Sequence, residues 1–388
     1  MVLRTIEDLD VKGKFILLRD DFNVQIIDGK ITDGFRIEQS MPTIIKLKQA
    51  GAKIAICAHL GRPKGLRDMK FTLAPIAQYM KIPLVTDCLE KDFMKDMKDG
   101  DVVLLENVRF YPGEEENNPE FASRLASGFD IFVNDAFAVS HRAHASTVGV
   151  TKFLPSYAGE LLMSEIENLN NLMENPKRPL LSIVGGSKLS TKIGVLKSLI
   201  KLSDKLIVDG MIGTAFAVAG GANGGDFKSD TETLQAAIDL TEFAKQNDCE
   251  LFIPIDKGIG KEFSRDAIRV NKTFSEIQSD DVIMDSGIET TKRNIHIIDS
   301  VKTVLWNGTL GMAEWGDVWG QSTFEIANEI ATRTRQGKLE SIIGGGDTVT
   351  ALEVAGVKND MTYVSTGGGA FLEFIEGISL PGIKVLEK

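Results

Sequence analysis

The feature that most constrains this chain is a recurring alternation. Short runs of consecutive apolar residues end in Gly, Asn, Asp or Arg, and longer segments with helical periodicity lie between them. In the first half, residues 14–19, 53–58, 101–105 and 130–134 predict strands. In the second half, residues 180–184, 205–208, 251–255, 303–306, 341–343 and 363–365 do the same. Several runs are apolar throughout rather than at alternate positions, as in parallel strands covered on both faces. The helical period is carried by residues 37–49, 191–202, 231–246 and 323–333. Alternation on this scale predicts doubly wound α/β domains. At 388 residues the chain exceeds what one hydrophobic core usually serves, so two domains are expected.

The seam is expected near residues 159–179. Residues 160–173 read as one helix with Leu162, Ile166, Leu169 and Met173 on a single face. The run Glu174-Asn175-Pro176-Lys177-Arg178-Pro179 ends it, because proline cannot continue a helix and restrains the residue before it. A first domain over 1–170 and a second over 171–370 follow.

Composition excludes several classes. A net charge of −11 argues against nucleic acid as a main partner, since binding a phosphate backbone needs a basic face. It leaves room for a small anion met by a local arginine cluster. The N-terminal residues lack the apolar core of a signal peptide, and the least polar stretch, 211–222, is shorter than the roughly 20 residues that span a bilayer. Cys57, Cys88 and Cys249 form no C-x-x-C, and the four histidines are scattered. Neither a disulfide framework nor a zinc site is indicated, and a reducing cytoplasm is expected.

Polar residues collect just past the strands of the first half, where open α/β sheets bind ligands. They are Arg19-Asp20-Asp21-Phe22-Asn23, Arg36 after Asp33-Gly34, His59-Leu60-Gly61-Arg62, Glu106-Asn107-Val108-Arg109, and His141-Arg142-Ala143-His144. Guanidinium groups are planar, permanently charged, and grip phosphate or carboxylate with two parallel hydrogen bonds. Arg36, Arg62, Arg109 and Arg142 with His59 suit a ligand carrying several negative charges, and Asp21 and Asn23 suit its hydroxyl. The acidic run Glu114-Glu115-Glu116 reads as solvated loop and is assigned no chemistry.

The second half offers glycine-rich junctions instead: Gly185-Gly186-Ser187-Lys188 through Lys192, Asp209-Gly210-Met211-Ile212-Gly213, and Gly344-Gly345-Gly346-Asp347-Thr348. Glycines let backbone approach phosphate oxygens, and a helix N-terminus presents unpaired N–H donors. Asp347 is a hard oxygen ligand placed for a nucleotide's magnesium. Lys188 and Lys192, four apart, are expected on one helical face. No Gly-Lys is followed by Ser or Thr, and no strand is followed by G-x-G-x-x-G, which excludes the usual P-loop and disfavours a nicotinamide dehydrogenase.

At this point the chain resembles the phosphoglycerate kinase family over nearly its whole length. The segments that carry the resemblance are 19–24, Gly29-Lys30-Ile31-Thr32-Asp33, 59–65, 106–115, 134–146, 185–192, Trp306-Asn307-Gly308, 344–348, 365–369 and Leu380-Pro381-Gly382. The resemblance implies a bilobed, hinged enzyme of two Rossmann-like three-layer domains with parallel sheets, the tail 371–388 completing the N-terminal one. It implies reversible phosphoryl transfer between 1,3-bisphosphoglycerate and Mg-ADP, giving 3-phosphoglycerate and Mg-ATP. Substrate and nucleotide sites on separate domains must meet, so domain closure is expected, and a monomer is the default. Substrate binding by Asp21, Asn23, Arg36, His59, Leu60, Gly61, Arg62, Arg109 and Arg142 is implied. So is nucleotide binding by Gly186, Lys188, Lys192, Glu314, Gly344, Gly345, Gly346, Asp347 and Thr348, with Asp347 on the Mg2+ and Arg36 and Lys192 catalytic. The chain departs from the family's pattern at Gln25, 209–212, Thr309, Ala313 and 315–321. A ligand-binding relative without catalysis is the competing reading from another class.

Overall fold

Runs that are apolar at every position become central strands because each face of the sheet meets its own hydrophobic layer. The computed structural model describes residues 2–7 and 9–388 and divides into two units, Met1–Asn168 with Ile378–Lys388, and Leu169–Gly377. In the first unit, strands β1 (Phe15–Arg19), β2 (Lys53–Cys57), β3 (Leu84–Val85), β4 (Val102–Leu105), β5 (Ile131–Asn134) and β6 (Ser156–Ala158) form a parallel sheet. Their order is β3-β4-β2-β1-β5-β6. Ile16 and Leu18 of β1 pack with Ile37, Ile44 and Leu47 of the helix Phe35–Gln49. Leu17, between them, enters the opposite layer with Phe121 and Leu125 of the helix Pro119–Ala126. One strand thus feeds two cores, which makes three layers.

The second unit adds β7 (Leu180–Val184), β8 (Lys205–Val208), β9 (Glu250–Phe252), β10 (Asp256–Gly260), β11 (Val270–Thr273), β12 (Val282–Ser286), β13 (Thr303–Asn307), β14 (Glu340–Gly344) and β15 (Tyr363–Val364). Its main sheet is parallel, in the order β9-β8-β7-β13-β14-β15, which is the order of dinucleotide-binding sheets. Leu181, Ile183, Val304, Trp306 and Ile343 pack on Ile297, Ile298, Ile326 and Ile330 of the helices Ile288–Asp299 and Gln321–Arg335. The helix Ile193–Leu202 contributes its own buried side, Val195, Leu196, Leu199 and Ile200.

The structure also contains what periodicity does not predict. The edge strands β3 and β6 have two and three residues, too short to show a period. The antiparallel sheet β11-β10-β12 was not expected, because Asp256-Lys257-Gly258-Ile259-Gly260 has neither an apolar run nor alternation. The tail, expected from residue 371, joins the first unit from Ile378. The helix Gly369–Ile375 stays with the second, where Phe371 covers Gly344 closely enough that a β-carbon there would lie 2.5 Å from its ring.

Candidate active site

Loops leaving the carboxyl ends of parallel strands form a crevice where the strand order reverses. In the first unit that point lies beside β1, and the loops after β1, β2, β4 and β5 supply the polar residues. They are tied to each other. Asn23 Oδ1 accepts from Gly61 N at 2.9 Å, Asn107 Nδ2 donates to Leu60 O at 2.8 Å, and Arg109 Nη1 donates to Gly61 O at 2.8 Å. Gly61 has φ +61°, and a β-carbon on it would lie 2.3 Å from the Phe71 ring, so the turn requires glycine.

Charges concentrate inside this frame. Arg19 is fully buried, with Nε donating to Ser146 Oγ at 2.8 Å and Nη2 3.4 Å from His59 Nδ1. Asp21 pairs with Arg36, and its Oδ1 lies 3.3 Å from His59 Nδ1. Burial pushes the Asp21 carboxyl up, but Arg36, His59 and Arg19 outweigh it and hold it below the usual carboxylate range. Arg109 is buried, and its Nε and Nη2 have no hydrogen-bond partner, although Glu115 Oε1 lies 3.3 Å from Nε. Burial brings its pKa down to about 10, and the charges of Arg19 and Arg142 act in the same direction. Arg142 Nε sits 3.1 Å from His141 Nε2. Burial, reinforced by neighbouring arginines, lowers His141 and His144 to about 4, and it drives His59 well below its usual value against the pull of Asp21. Neutral histidines among unpaired cationic donors leave a site that an anion would complete.

Of the predicted residues, Asp21, Asn23, Arg36, His59, Gly61, Arg109 and Arg142 come together here. Leu60 is buried and takes part through its carbonyl, whereas Arg62 is exposed. The acidic run is not simply solvated, as expected above. Glu114 is fully buried and accepts from Ser146 N at 2.9 Å and Ser146 Oγ at 2.6 Å, while Glu115 faces Arg109. Glu114 therefore holds the serine that orients Arg19. Its position at the start of a short helix behind Pro112 was the only local signal.

In the second unit the switch point lies between β7 and β13. A β-carbon on Gly185 would lie 2.1 Å from Thr309 O, so the two loops touch backbone to backbone. Lys192 Nζ donates to Asn307 Oδ1 at 2.6 Å and Gly185 O at 3.2 Å. Asn307 Nδ2 donates to Gly344 O at 2.8 Å, and Gly308 N donates to Thr348 Oγ1 at 2.7 Å. These bonds frame a cleft of about 230 Å³ lined by Gly186, Lys188, Lys192, Gly345, Gly346 and Thr348. A larger cavity of about 740 Å³ continues from it, sharing Gly186, Ser187, Thr309 and Asp347 and reaching Met211, Glu314 and Val354. Lys188 and Lys192 do not share a helical face. Lys188 is extended, a 3-10 turn follows over Leu189–Thr191, and Lys192 opens the helix Ile193–Leu202. Both still line the cleft. Gly344 accepts from Asn307 rather than lining it. Asn307, unassigned from sequence, holds the lysine.

Asp347 is exposed in the first turn of the helix Gly346–Val354. Among the described residues no group of three or more His, Cys, Asp or Glu side chains could hold a metal. One hard carboxylate beside a glycine loop fits a magnesium ion that keeps several waters and is held mainly by its ligand's phosphates.

The family profile described as phosphoglycerate kinase matches residues 6–378. The chain belongs to the phosphoglycerate kinase family. It is 41% identical to phosphoglycerate kinase from Brucella abortus biovar 1 (strain 9-941) over 397 residues, covering 100% of both chains. Identity is also 41% to that of Borrelia hermsii (strain HS1 / DAH), again with full coverage. The solved phosphoglycerate kinase from Coxiella burnetii is 40% identical with a TM-score of 0.85, covering 99% of each chain. That from Pyrococcus horikoshii OT3 is 26% identical with a TM-score of 0.82, covering 99% of this chain and 98% of the other.

Proposed function

We propose that the arginine crevice of the first unit holds the phosphoglycerate and that the glycine-lined cleft of the second holds the nucleotide. The reaction is reversible phosphoryl transfer between 1,3-bisphosphoglycerate and ADP, giving 3-phosphoglycerate and ATP. The buried Nη2 of Arg109, which has no hydrogen-bond partner, carries this reading, because a donor stripped of water and left unpaired is costly unless a ligand meets it. Asp21, Asn23, Arg36, His59, Arg62 and Arg142 share the same anion, with Leu60 and Gly61 forming the wall.

In the ATP-consuming direction the nucleophile is a carboxylate, already ionised at neutral pH with a free-acid pKa of roughly 3.5. No general base is needed. Catalysis rests on in-line positioning and on neutralising charge at the moving phosphoryl group. Arg36 does so at the carboxyl end of the acceptor and Lys192 at the phosphoryl group. Backbone N–H groups of Gly345, Gly346 and Asp347 and the Thr348 hydroxyl hold the nucleotide phosphates, with Gly186 and Lys188 beside them and Glu314 toward the ribose. Asp347 holds the magnesium, which when bound neutralises part of the phosphate charge.

Cys57, Cys88 and Cys249 are free and buried, and no helix is long and apolar enough to cross a membrane among the described residues. Both support a cytoplasmic enzyme. We read it as a monomer, which light scattering tests. The decisive assay supplies 3-phosphoglycerate and Mg-ATP and follows 1,3-bisphosphoglycerate through a coupled reduction. Turnover is expected, lost in Arg36→Ala. Folded wild-type protein that binds both ligands without turnover would favour the binding-only reading instead.

A further inference from the structure

The turn after β8 holds an ion pair that the phosphoryl chemistry above does not use. Asp209 and Lys257 are both fully buried, and Lys257 Nζ lies 2.8 Å from Asp209 Oδ1. The same ammonium donates to Gly210 O at 3.1 Å. Asp209 Oδ1 also accepts from Gly210 N at 2.8 Å, and Oδ2 accepts from Ser286 Oγ at 2.7 Å. Asp209 is therefore the N-cap of the helix Gly210–Ala219, and Lys257 reaches it from β10 in the antiparallel sheet. The capped turn lies against the glycine loop: Met211 N and Ile212 N donate to Gly186 O at 3.1 and 3.2 Å. Gly186, Gly210, Met211 and Lys257 all line the larger cavity that continues from the cleft.

The charges create a problem that the pair solves. A carboxylate cap stabilises a helix start, but here it also puts a negative charge beside a loop that faces an anionic ligand. Buried, that charge is weakly screened and repels the phosphates. Lys257 cancels it where it arises.

We infer that the Asp209–Lys257 pair is a positioning device for the nucleotide loop: Asp209 fixes the turn against Gly186, and Lys257 removes the repulsion that this cap exerts on the nucleotide's phosphates. The inference rests on the reading that the second unit binds the nucleotide. Neither side chain lines the smaller cleft that holds Lys192.

The test measures Mg-ADP and adenosine affinities by calorimetry, and KM values for ATP and 3-phosphoglycerate, in wild type, Lys257→Met, Asp209→Asn and the double variant. Lys257→Met leaves an unpaired buried carboxylate and is expected to weaken Mg-ADP roughly tenfold or more. Adenosine affinity and the KM for 3-phosphoglycerate should stay within about twofold, because the effect acts through phosphate charge. Asp209→Asn should leave Mg-ADP affinity unchanged or improve it, and the double variant should return to within about threefold of wild type, since one uncompensated charge no longer remains. Should Lys257→Met fail to fold, Asp209→Asn and the double variant still decide. Equal weakening of Mg-ADP and adenosine, or weakening in Asp209→Asn alone, makes the pair merely structural and overturns the inference. Wild type that binds no Mg-ADP overturns the underlying reading instead.

Discussion

Lys192 is a half-buried lysine whose hydrogen-bond partners, Asn307 and Gly185 O, are neutral. Burial lowers its pKa to about 8, and the charge of Asp347 only partly opposes this. A lysine acting on a phosphoryl group must be charged, so kcat/KM for ATP is expected to fall as pH rises through about 8. A flat profile from pH 7 to 10 would remove Lys192 from that role. The stability sign runs the other way. The folded pKa lies below the unfolded value, so the charged form is disfavoured by folding, and this group makes the protein more stable as pH climbs from about 8 towards the unfolded lysine value. Arg109 shows a similar opposition between stability and binding. Its Nη2 has no partner and awaits an anion, so Arg109→Met should raise the KM for 3-phosphoglycerate by roughly a hundredfold, at about 1.5–3 kcal/mol per charged hydrogen bond. The ligand-free protein should be equally or more stable in a thermal shift, since a buried, incompletely paired cation is gone. A large loss of stability would mean that its bond to Gly61 O dominates.

Among the elements, the helix Glu160–Glu174 shows how a local signal and a distant partner combine. Its apolar face and the prolines behind it were legible, and the structure ends it one residue later than expected. Its N-terminal partners were not legible. Leu162 N donates to Asp135 Oδ1 at 3.0 Å, and Glu160 N donates to Thr43 Oγ1 at 2.8 Å, across 27 and 117 positions. Asp135 is buried near a second buried carboxylate, Asp20. Burial, together with Asp135, pushes Asp20 well up, and burial raises Asp135 to about 6. Raised carboxyl values mean that the stability held with both groups protonated is lost as pH climbs from about 4 through 6. Asp20→Asn should remove the share of that loss that belongs to Asp20, gaining more in urea midpoint at pH 8 than at pH 4. An equal change at both values would show that the Asp20 carboxyl is not raised in the folded protein.

For the whole chain, the first unit is built from two separated stretches. Leu380, Ile383 and Leu386 of the tail are buried, Gly382 N donates to Ser140 O at 2.8 Å, and Asn134 Nδ2 donates to Gly382 O at 3.0 Å. Three buried aliphatic side chains contribute roughly 1.5–3 kcal/mol each, comparable with the whole stability of many domains. Deleting residues 378–388 should therefore lower or abolish the unfolding transition of the first unit in calorimetry while sparing that of the second. Equal loss of both would show that the units do not unfold separately.

The sequence by itself determined the strand–helix alternation, the two-unit organisation and the residue types at the strand ends. Those signals are local: an apolar run covered on both faces, a helical period and a proline break are each written within a few neighbouring residues. Tertiary structure alone decided which polar groups lose water and what they then meet. It buried Glu114 behind Arg19, left Arg109 with unpaired donors, set Lys192 on Asn307, and joined Asp209 to Lys257 across 48 positions. Desolvation and pairing depend on neighbours brought in from other strands, and no window along the chain contains them.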